Sequence, residues 1–237
     1  MKKHIKNIYE KVEDVLVHVI IPSAGVGKRM KSYGCKSLLS IKDEKLIDIQ
    51  IKNINKAFPN NEIILITGFD SDRLITNSPD DIIKIENERY YDNNVSKSIS
   101  IGLRATKNNQ HVVIVFGDVL FNYECLHNIN IGQSCIIISD HMEDQEVGCN
   151  INGAGKLEYM MFDLPNKWGH IVYLTNKELL LFKKITLNKK VEKRFCFEII
   201  NEIISNGGKF VCIRDNNMKC MDIDTSKDLK KAQEFIQ

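Results

Sequence analysis

A run of mostly β-branched residues, Val15 to Ile21, is stopped by Pro22 and leads straight into Ser23-Ala24-Gly25-Val26-Gly27-Lys28-Arg29-Met30. No other stretch limits the fold so strongly. A short apolar run without alternation reads as a strand buried on both faces, as in a parallel sheet covered by helices. The two glycines behind it let the backbone approach a ligand closely and point successive N–H groups at an anion. Lys28 and Arg29 follow at once, and Lys36 comes a turn later. Three cations on a glycine loop suit a triphosphate. The segment is not a Walker A loop, and Met30 stands where a dinucleotide fingerprint needs its third glycine. The plain alternative is a strand-to-helix turn with solvated basic residues.

The segments behind this loop continue the alternation. Apolar residues at Leu46, Ile47, Ile49, Ile51 and Ile54 predict a helix over Glu44–Ala57, and Glu62–Thr67 predicts a second buried strand. A helix near Ser71–Asn77, a strand at Ile82–Glu86, a helix at Ser98–Thr106 and a very apolar strand at His111–Phe116 complete a series that favours a parallel sheet. Short strand-like pieces follow at Ser134–Ser139, Val147–Ile151 and Gly169–Leu174, expected as antiparallel additions or an inserted lobe. Helices at Asn176–Ile185 and Glu192–Ser205, strands at Lys209–Ile213 and Lys219–Asp222, and a closing helix from Asp228 end the chain. The expected fold is α/β: one domain of 237 residues with a predominantly parallel mixed sheet flanked by helices and a small antiparallel lid lobe at about 134–175.

Composition narrows the partners. With 33 Lys+Arg against 31 Asp+Glu the formal charge is +2, so neither a general nucleic-acid binder nor a membrane-surface binder is expected. The apolar block Val15–Pro22 follows Glu13 and Asp14 and falls well short of the roughly 20 residues of a membrane span. Seven cysteines with no C-x-x-C pair fit a reducing, cytoplasmic compartment better than a disulfide framework.

Carboxylates supply the remaining chemistry. Asp118 ends the most apolar strand, where ligands of open α/β sheets bind, and is suited to holding a cation or to capping a helix. Asp222 and Asp224 flank Ile223, so in a strand both carboxylates share a face. Their repulsion needs a cation or hydrogen bonds, unless Asp224 or Thr225 serves as the cap of the last helix. The polar run Asn87 to Asn94 with Ser98 offers groups that read a nucleobase edge, or that cap a helix at Ser96 or Ser98.

In this order and spacing the residues resemble the nucleotidyltransferase family with the Rossmann-like GT-A fold. Its opening signature, [AS]-A-G-x-G-x-R-[ML] followed by Pro-Lys, is matched by Ser23 to Met30 with Lys36. Gly117-Asp118 resembles the family's metal aspartate, and Asp222-Ile223-Asp224-Thr225 with Asp228-Leu229 resembles its closing element. Asn87, Arg89, Tyr90, Asn94 and Ser98 resemble the CTP-dependent cytidylyltransferases of the phosphocholine type. Two departures stand out: Cys35 replaces the proline before Lys36, which is expected to loosen that loop, and Asp222 stands where glutamate is usual.

The resemblance implies an enzyme that transfers CMP from CTP to a phosphate- or phosphonate-bearing small molecule, releasing pyrophosphate. The acceptor would be phosphocholine-like, a phosphonate, or a phosphorylated amine or amino acid such as glutamine phosphate, used to decorate surface polysaccharide or lipid. Lys28, Arg29 and Lys36 would be catalytic. Ser23, Ala24, Gly25, Val26, Gly27, Lys28, Arg29, Gly68, Asn94, Ser98 and Gly117 would bind the nucleotide. Mg²⁺ is the implied cofactor, on Asp118 with Asp222 and Asp224. Glu146, Lys167, Trp168 and His170 would meet the acceptor, with Trp168, Tyr159, Phe162 and Tyr173 as candidates for an aromatic box. The partners are CTP and the acceptor, in a possible homodimer, with no nucleic acid or membrane. Two alternatives stay open: a sugar-1-phosphate nucleotidyltransferase using UTP or dTTP, and a GT-A glycosyltransferase, since Asp222-Ile223-Asp224 is formally a D-x-D.

Overall fold

The computed structural model describes residues 15–27, 30, 33–106, 110–139 and 146–235. In chain order the first half holds β1 (Val17–Pro22), β2 (Ser40–Ile41), β3 (Glu44–Lys45), α1 (Leu46–Ala57), β4 (Asn61–Thr67), α2 (Ser71–Thr76), β5 (Ile83–Glu86) and α3 (Val95–Ala105). Next come β6 (His111–Val115), β7 (Val119–Phe121), α4 (Glu124–His127), β8 (Cys135–Ser139), β9 (Val147–Ile151) and β10 (Leu157–Phe162). The chain continues with β11 (Lys167–Thr175), α5 (Asn176–Thr186), α6 (Cys196–Ser205), β12 (Val211–Ile213), β13 (Cys220–Asp222) and α7 (Ser226–Phe235).

Strands β5, β4, β1 and β6 lie side by side and parallel, with Ile21 opposite Leu65 and Ile20 opposite Ile114. Successive residues of β1 face opposite sides. Val19 and Ile21 pack with Ile47, Ile51 and Ile54 of α1, while Ile20 packs with Ile99 and Leu103 of α3. Burial on both faces is the reason β1 reads as unbroken apolar sequence. Gly102 lets α3 come down onto β1, since a Cβ there would stand 2.7 Å from Ile20 Cγ2.

The chain leaves β1 toward β4 on one side and returns to β6 on the other, so the crevice outside the carboxyl ends of β1 and β6 is the switch point of the sheet. The later strands are additions to this sheet. β11 runs antiparallel to β6, β8 joins β11, β12 joins β8, and β9 with β10 attach near Lys167. A separate ribbon pairs β13 with β7, placing Asp222 opposite Val119. The expectations for individual elements hold with local changes. Glu44 and Lys45 belong to a hairpin rather than a helix, α3 begins at Val95 with Asn94 as its cap instead of Ser96 or Ser98, and α6 begins at Cys196. Strand β10 has no counterpart in the sequence reading because its burial follows an irregular pattern. All seven cysteines are free thiols. Among the described residues no helix is long and apolar enough to cross a membrane.

Candidate active site

A cavity of about 320 Å³ opens at the switch point, between the ends of β1 and β6 and the start of α3. Its wall is the turn that the sequence singles out. Ser23, Ala24, Gly25 and Gly27 line it, as does Gly117 behind β6. Gly27 adopts φ +55, and a Cβ there would meet the Lys36 side chain at 3.0 Å, so the glycine leaves room for that lysine to cross the turn. A Cβ on Gly117 would stand 2.0 Å from Ser23 Oγ. Val26 and Gly68 do not line the cavity. Gly68 acts from behind, since a Cβ on it would strike Ala24 and Tyr90 at 2.7 and 2.8 Å. Lys28 and Arg29 lie outside the described residues.

Lys36 sits at the floor. It opens a one-turn 3-10 segment, Lys36–Leu38, fixed by a buried serine that sequence reasoning missed: Ser37 Oγ donates to Gly117 O at 2.8 Å and to Ser23 Oγ at 2.9 Å. Cys35 does not loosen this loop. It is buried, and its N–H, which a proline would lack, donates to Asp70 Oδ2 at 3.3 Å. Lys36 Nζ then donates to Asp118 Oδ2 at 3.1 Å and to Asp224 Oδ1. Burial works against the lysine's charge, but the carboxylates of Asp118 and Asp224 outweigh it and raise its pKa above the ordinary value.

A second helper, Gln50 on α1, was also invisible to motif reading. Its amide donates to Phe116 O at 2.9 Å and to Val119 O at 2.7 Å, holding from behind the turn that carries Asp118. On the far side, Ile223 N donates to Asp118 O at 2.9 Å, so the β7–β13 ribbon brings the closing motif to Asp118. Ile223 is buried, while Asp222 and Asp224 emerge beside it. The helix cap is Thr225, which shares a reciprocal pair with Asp228: Asp228 Oδ2 accepts from Thr225 N at 2.7 Å, and Asp228 N donates to Thr225 Oγ1 at 3.3 Å.

Asp222 has a different partner from its neighbour. Lys167 Nζ donates to Asp222 Oδ1 at 2.5 Å and to Glu146 Oε1. Burial alone would raise the Asp222 carboxyl, but His170 and Lys167 hold it below the usual carboxylate range. These groups line a second cavity of about 650 Å³, which shares His170, Phe195, Asp222 and Asp224 with the first. Trp168 is buried in the core, donating to Ile171 O and packing edge-on to His170 at 4.8 Å, so it supports the site without facing it. Tyr173 is equally buried and bonds His111, and Tyr159 does not line either cavity. Trp168, Tyr173 and Tyr159 therefore form no aromatic box at either cavity. Phe162 does face the cavity, joined by Phe195 and Phe197, which the sequence reading missed.

The polar run after β5 also reaches the first cavity. Asn94 Oδ1 accepts from Val95 N at 2.8 Å as the cap of α3, and its amide donates to Lys193 O. Ser98 Oγ accepts from Asn87 Nδ2 at 3.1 Å, while Asn87 and Asn93 exchange side-chain hydrogen bonds. The capping and lining roles therefore fall on the same residues.

A parallel sheet with a glycine turn and paired carboxylates at its switch point defines the class: a Rossmann-like α/β fold. Residues 19–129 match the profile of the MobA-like NTP transferase domain. Over its length the chain is similar in fold to the CTP:phosphocholine cytidylyltransferase from Streptococcus pneumoniae, with TM-score 0.75, 17% identity and coverage of 94% of this chain and 100% of that one. It is also similar to the inositol-1-phosphate CTP transferase from T. maritima, with TM-score 0.70, 14% identity and coverage of 94% and 97%. A UDP-glucose pyrophosphorylase complexed with UDP-glucose gives TM-score 0.76, 13% identity and coverage of 93% and 98%. Identities this low speak for the fold alone. No curated protein matches the chain.

Proposed function

We propose that the protein is a CTP-dependent cytidylyltransferase that joins CMP to a phosphate- or phosphonate-bearing small molecule and releases pyrophosphate. The observation that carries this reading is the convergence of Asp118 and Asp224 on one cation, Lys36, beneath the glycine turn. Two carboxylates that share an ammonium can share a divalent ion. Mg²⁺ commonly takes one or two carboxylates and fills its sphere with substrate phosphates and water. That fits a site where, among the described residues, no cluster of three or more ligating side chains occurs. Asp118 and Asp224 are thus the pair that would hold Mg²⁺, and Asp222 is bound instead to Lys167. When bound, the ion would neutralise charge on the nucleotide's phosphates.

In this reading the triphosphate lies along Ser23, Ala24, Gly25 and Gly27, with Lys28, Arg29 and Lys36 countering its charge and Gly117 leaving room below. Asn94 and Ser98, with Asn87 and Asn93, face the base. An oxygen of the acceptor phosphate attacks the α-phosphorus. The new P–O bond forms as the bond to the β-phosphate breaks, and pyrophosphate leaves. A phosphomonoester carries close to two charges at neutral pH, so no general base is needed. Positioning and charge neutralisation supply the rate. Glu146, Lys167 and His170 bound the acceptor side, with Trp168 fixing His170. The division into a nucleotide-binding part (about 15–133), an acceptor part (about 134–175) and a closing part (about 176–237) follows this use, in a cytoplasmic enzyme whose product decorates surface polysaccharide or lipid.

The test is pyrophosphate release with Mg²⁺ and each of CTP, UTP, GTP, ATP and dTTP against a panel of phosphorylated acceptors. Release confined to CTP is the expected result. Release with UTP or dTTP and a sugar 1-phosphate would establish the alternative, and no nucleotide-induced rise in Tm would overturn both.

A further inference from the structure

Charge is unevenly spread along the chain, and its concentration on one helix face points to a partner, whichever reaction the cavities serve. Residues 177–194 hold seven Lys and Arg against two acids, Glu178 and Glu192. That segment carries an excess of five positive charges, whereas the whole chain carries +2, so the remainder sums to −3. The near-neutral balance of the whole hides a basic patch.

Folding sets how the patch is displayed. Helix α5 turns Leu179, Phe182 and Ile185 into the core. Its outer face shows Lys177, Leu180, Lys184 and Leu187, all exposed, at the three- and four-residue spacing that places them in one stripe. The stripe runs on into Lys189 and Lys190, exposed in the turn behind α5. Both acids of the segment are engaged elsewhere. Glu178 accepts from Ser134 Oγ at 3.1 Å and from Lys209 N at 2.9 Å, and Glu192 accepts from Lys97 Nζ at 2.6 Å. Of the cations, Lys193 lies 3.6 Å from Asp92, Arg194 pairs with Glu202, and Lys183 donates to Thr106 Oγ1 at 3.1 Å. Among the described residues, Lys184, Lys189 and Lys190 pair with no carboxylate.

Leu180 and Leu187 are 64% and 65% exposed, and no other leucine or isoleucine of the described residues is as open. Nor is Leu187 isolated, since it borders a third cavity of about 290 Å³ with Leu103 in its wall and the exposed Arg104 beside it. We infer that the outer face of α5 and the turn behind it dock on an anionic lipid bilayer, with Leu180 and Leu187 entering the headgroup layer and Lys184, Lys189 and Lys190 among the lipid phosphates. Lysine lays its stem along apolar surface and keeps its ammonium in water, which lets it share a bilayer interface with leucine. A nucleic acid fits less well. Leucine offers a base no stacking plane, and lysine lacks the planar fork with which arginine grips a phosphate at two points.

The experiment mixes the 237-residue chain with vesicles of phosphatidylcholine alone, or of phosphatidylcholine with phosphatidylglycerol, and reads bound protein by flotation. Binding is expected only to the anionic vesicles and should fall as salt is raised. A lysine near a charged bilayer is worth roughly fivefold in partitioning, so Lys184→Ala, Lys189→Ala and Lys190→Ala together should weaken it on the order of 10²-fold. Leu180→Ser with Leu187→Ser should weaken it about tenfold while leaving retention on heparin, a soluble polyanion, unchanged. All five positions are exposed, so Tm should stay at the wild-type value, and the lipid and salt comparisons need no variant at all. Equal binding to both vesicle types, no binding to the anionic ones, or a lysine variant that binds like the wild type would overturn the inference. So would an unaffected leucine variant, which would mark the face as a site for a polyanion or an acidic protein instead.

Discussion

Two knots of the same kind, a lysine between two carboxylates, share one end of the molecule and differ in their burial. In the first, Lys36 holds Asp118 and Asp224, whose side chains keep 30% and 28% exposure; in the second, Lys167 holds Glu146 and Asp222, which keep 15% and 12%. The first knot faces the cavity through its carboxylates. The second borders the other cavity but is more deeply buried. Burial thus separates more open carboxylates from carboxylates that also hold β11, β13 and the chain at Glu146 together.

The comparison breaks most sharply at Asp118. Replacing it with Ala removes a carboxylate that would carry the ion and should cut turnover on the order of 10²–10³ or more, with the melting temperature little changed, checked by pyrophosphate release and thermal melting. A variant that stays active would remove the metal assignment. The second knot should respond in the opposite sense. Lys167→Met leaves two buried carboxylates without a cation and should cost about 3–5 kcal/mol of stability by denaturant titration, whereas Lys36→Met should lose mainly turnover. A Lys36→Met protein as destabilised as Lys167→Met would erase the distinction.

The pH dependence of the second knot sharpens it further. The Lys167 ammonium is raised above its ordinary value because Asp222 and Glu146 outweigh its burial, so its contribution is full below the usual lysine range and is lost as pH rises through the raised value. The Asp222 carboxyl is depressed, so its contribution is present above the usual carboxylate range and is lost as pH falls through the depressed value. The Tm gap between wild type and Lys167→Met should therefore be widest near neutral pH and narrow on acidification. A gap that is flat into acid would show that the knot is not ionic. The smallest effects belong to the supports of the first knot. Gln50→Leu should cost about 1–3 kcal/mol by taking the side-chain donor from Val119 O, while Phe116 O keeps its bond from Val119 N, and Ser37→Ala about 1 kcal/mol. Both should slow turnover more than a surface change of equal stability cost.

The parallel part of the fold was legible because burial on both faces leaves unbroken apolar runs at β1, β4 and β6, and the helices between them keep their own period. The glycine turn was legible for a local reason as well, since close backbone approach demands glycine wherever it occurs. The acceptor side was not. Trp168 looks like a ligand-facing aromatic in sequence, yet β11 lies within the sheet and buries it. Phe195 looks like any apolar residue before a helix, yet contacts with Asn94 and Lys97 carry its turn to the cavity.

What the sequence determined by itself was the order of strands and helices, the position of the turn behind β1, and which residues carry charge at the ends of strands. Only the tertiary structure decided which lysine meets which carboxylate. Lys36 and Asp224 are 188 positions apart, and no local periodicity links them. They meet because the sheet sets β1 beside β6 and the β7–β13 ribbon delivers the chain's last strand to the same edge. Secondary structure follows from propensities and periods spanning a few residues, but a charge finds its partner only after the apolar faces have chosen the packing that buries them.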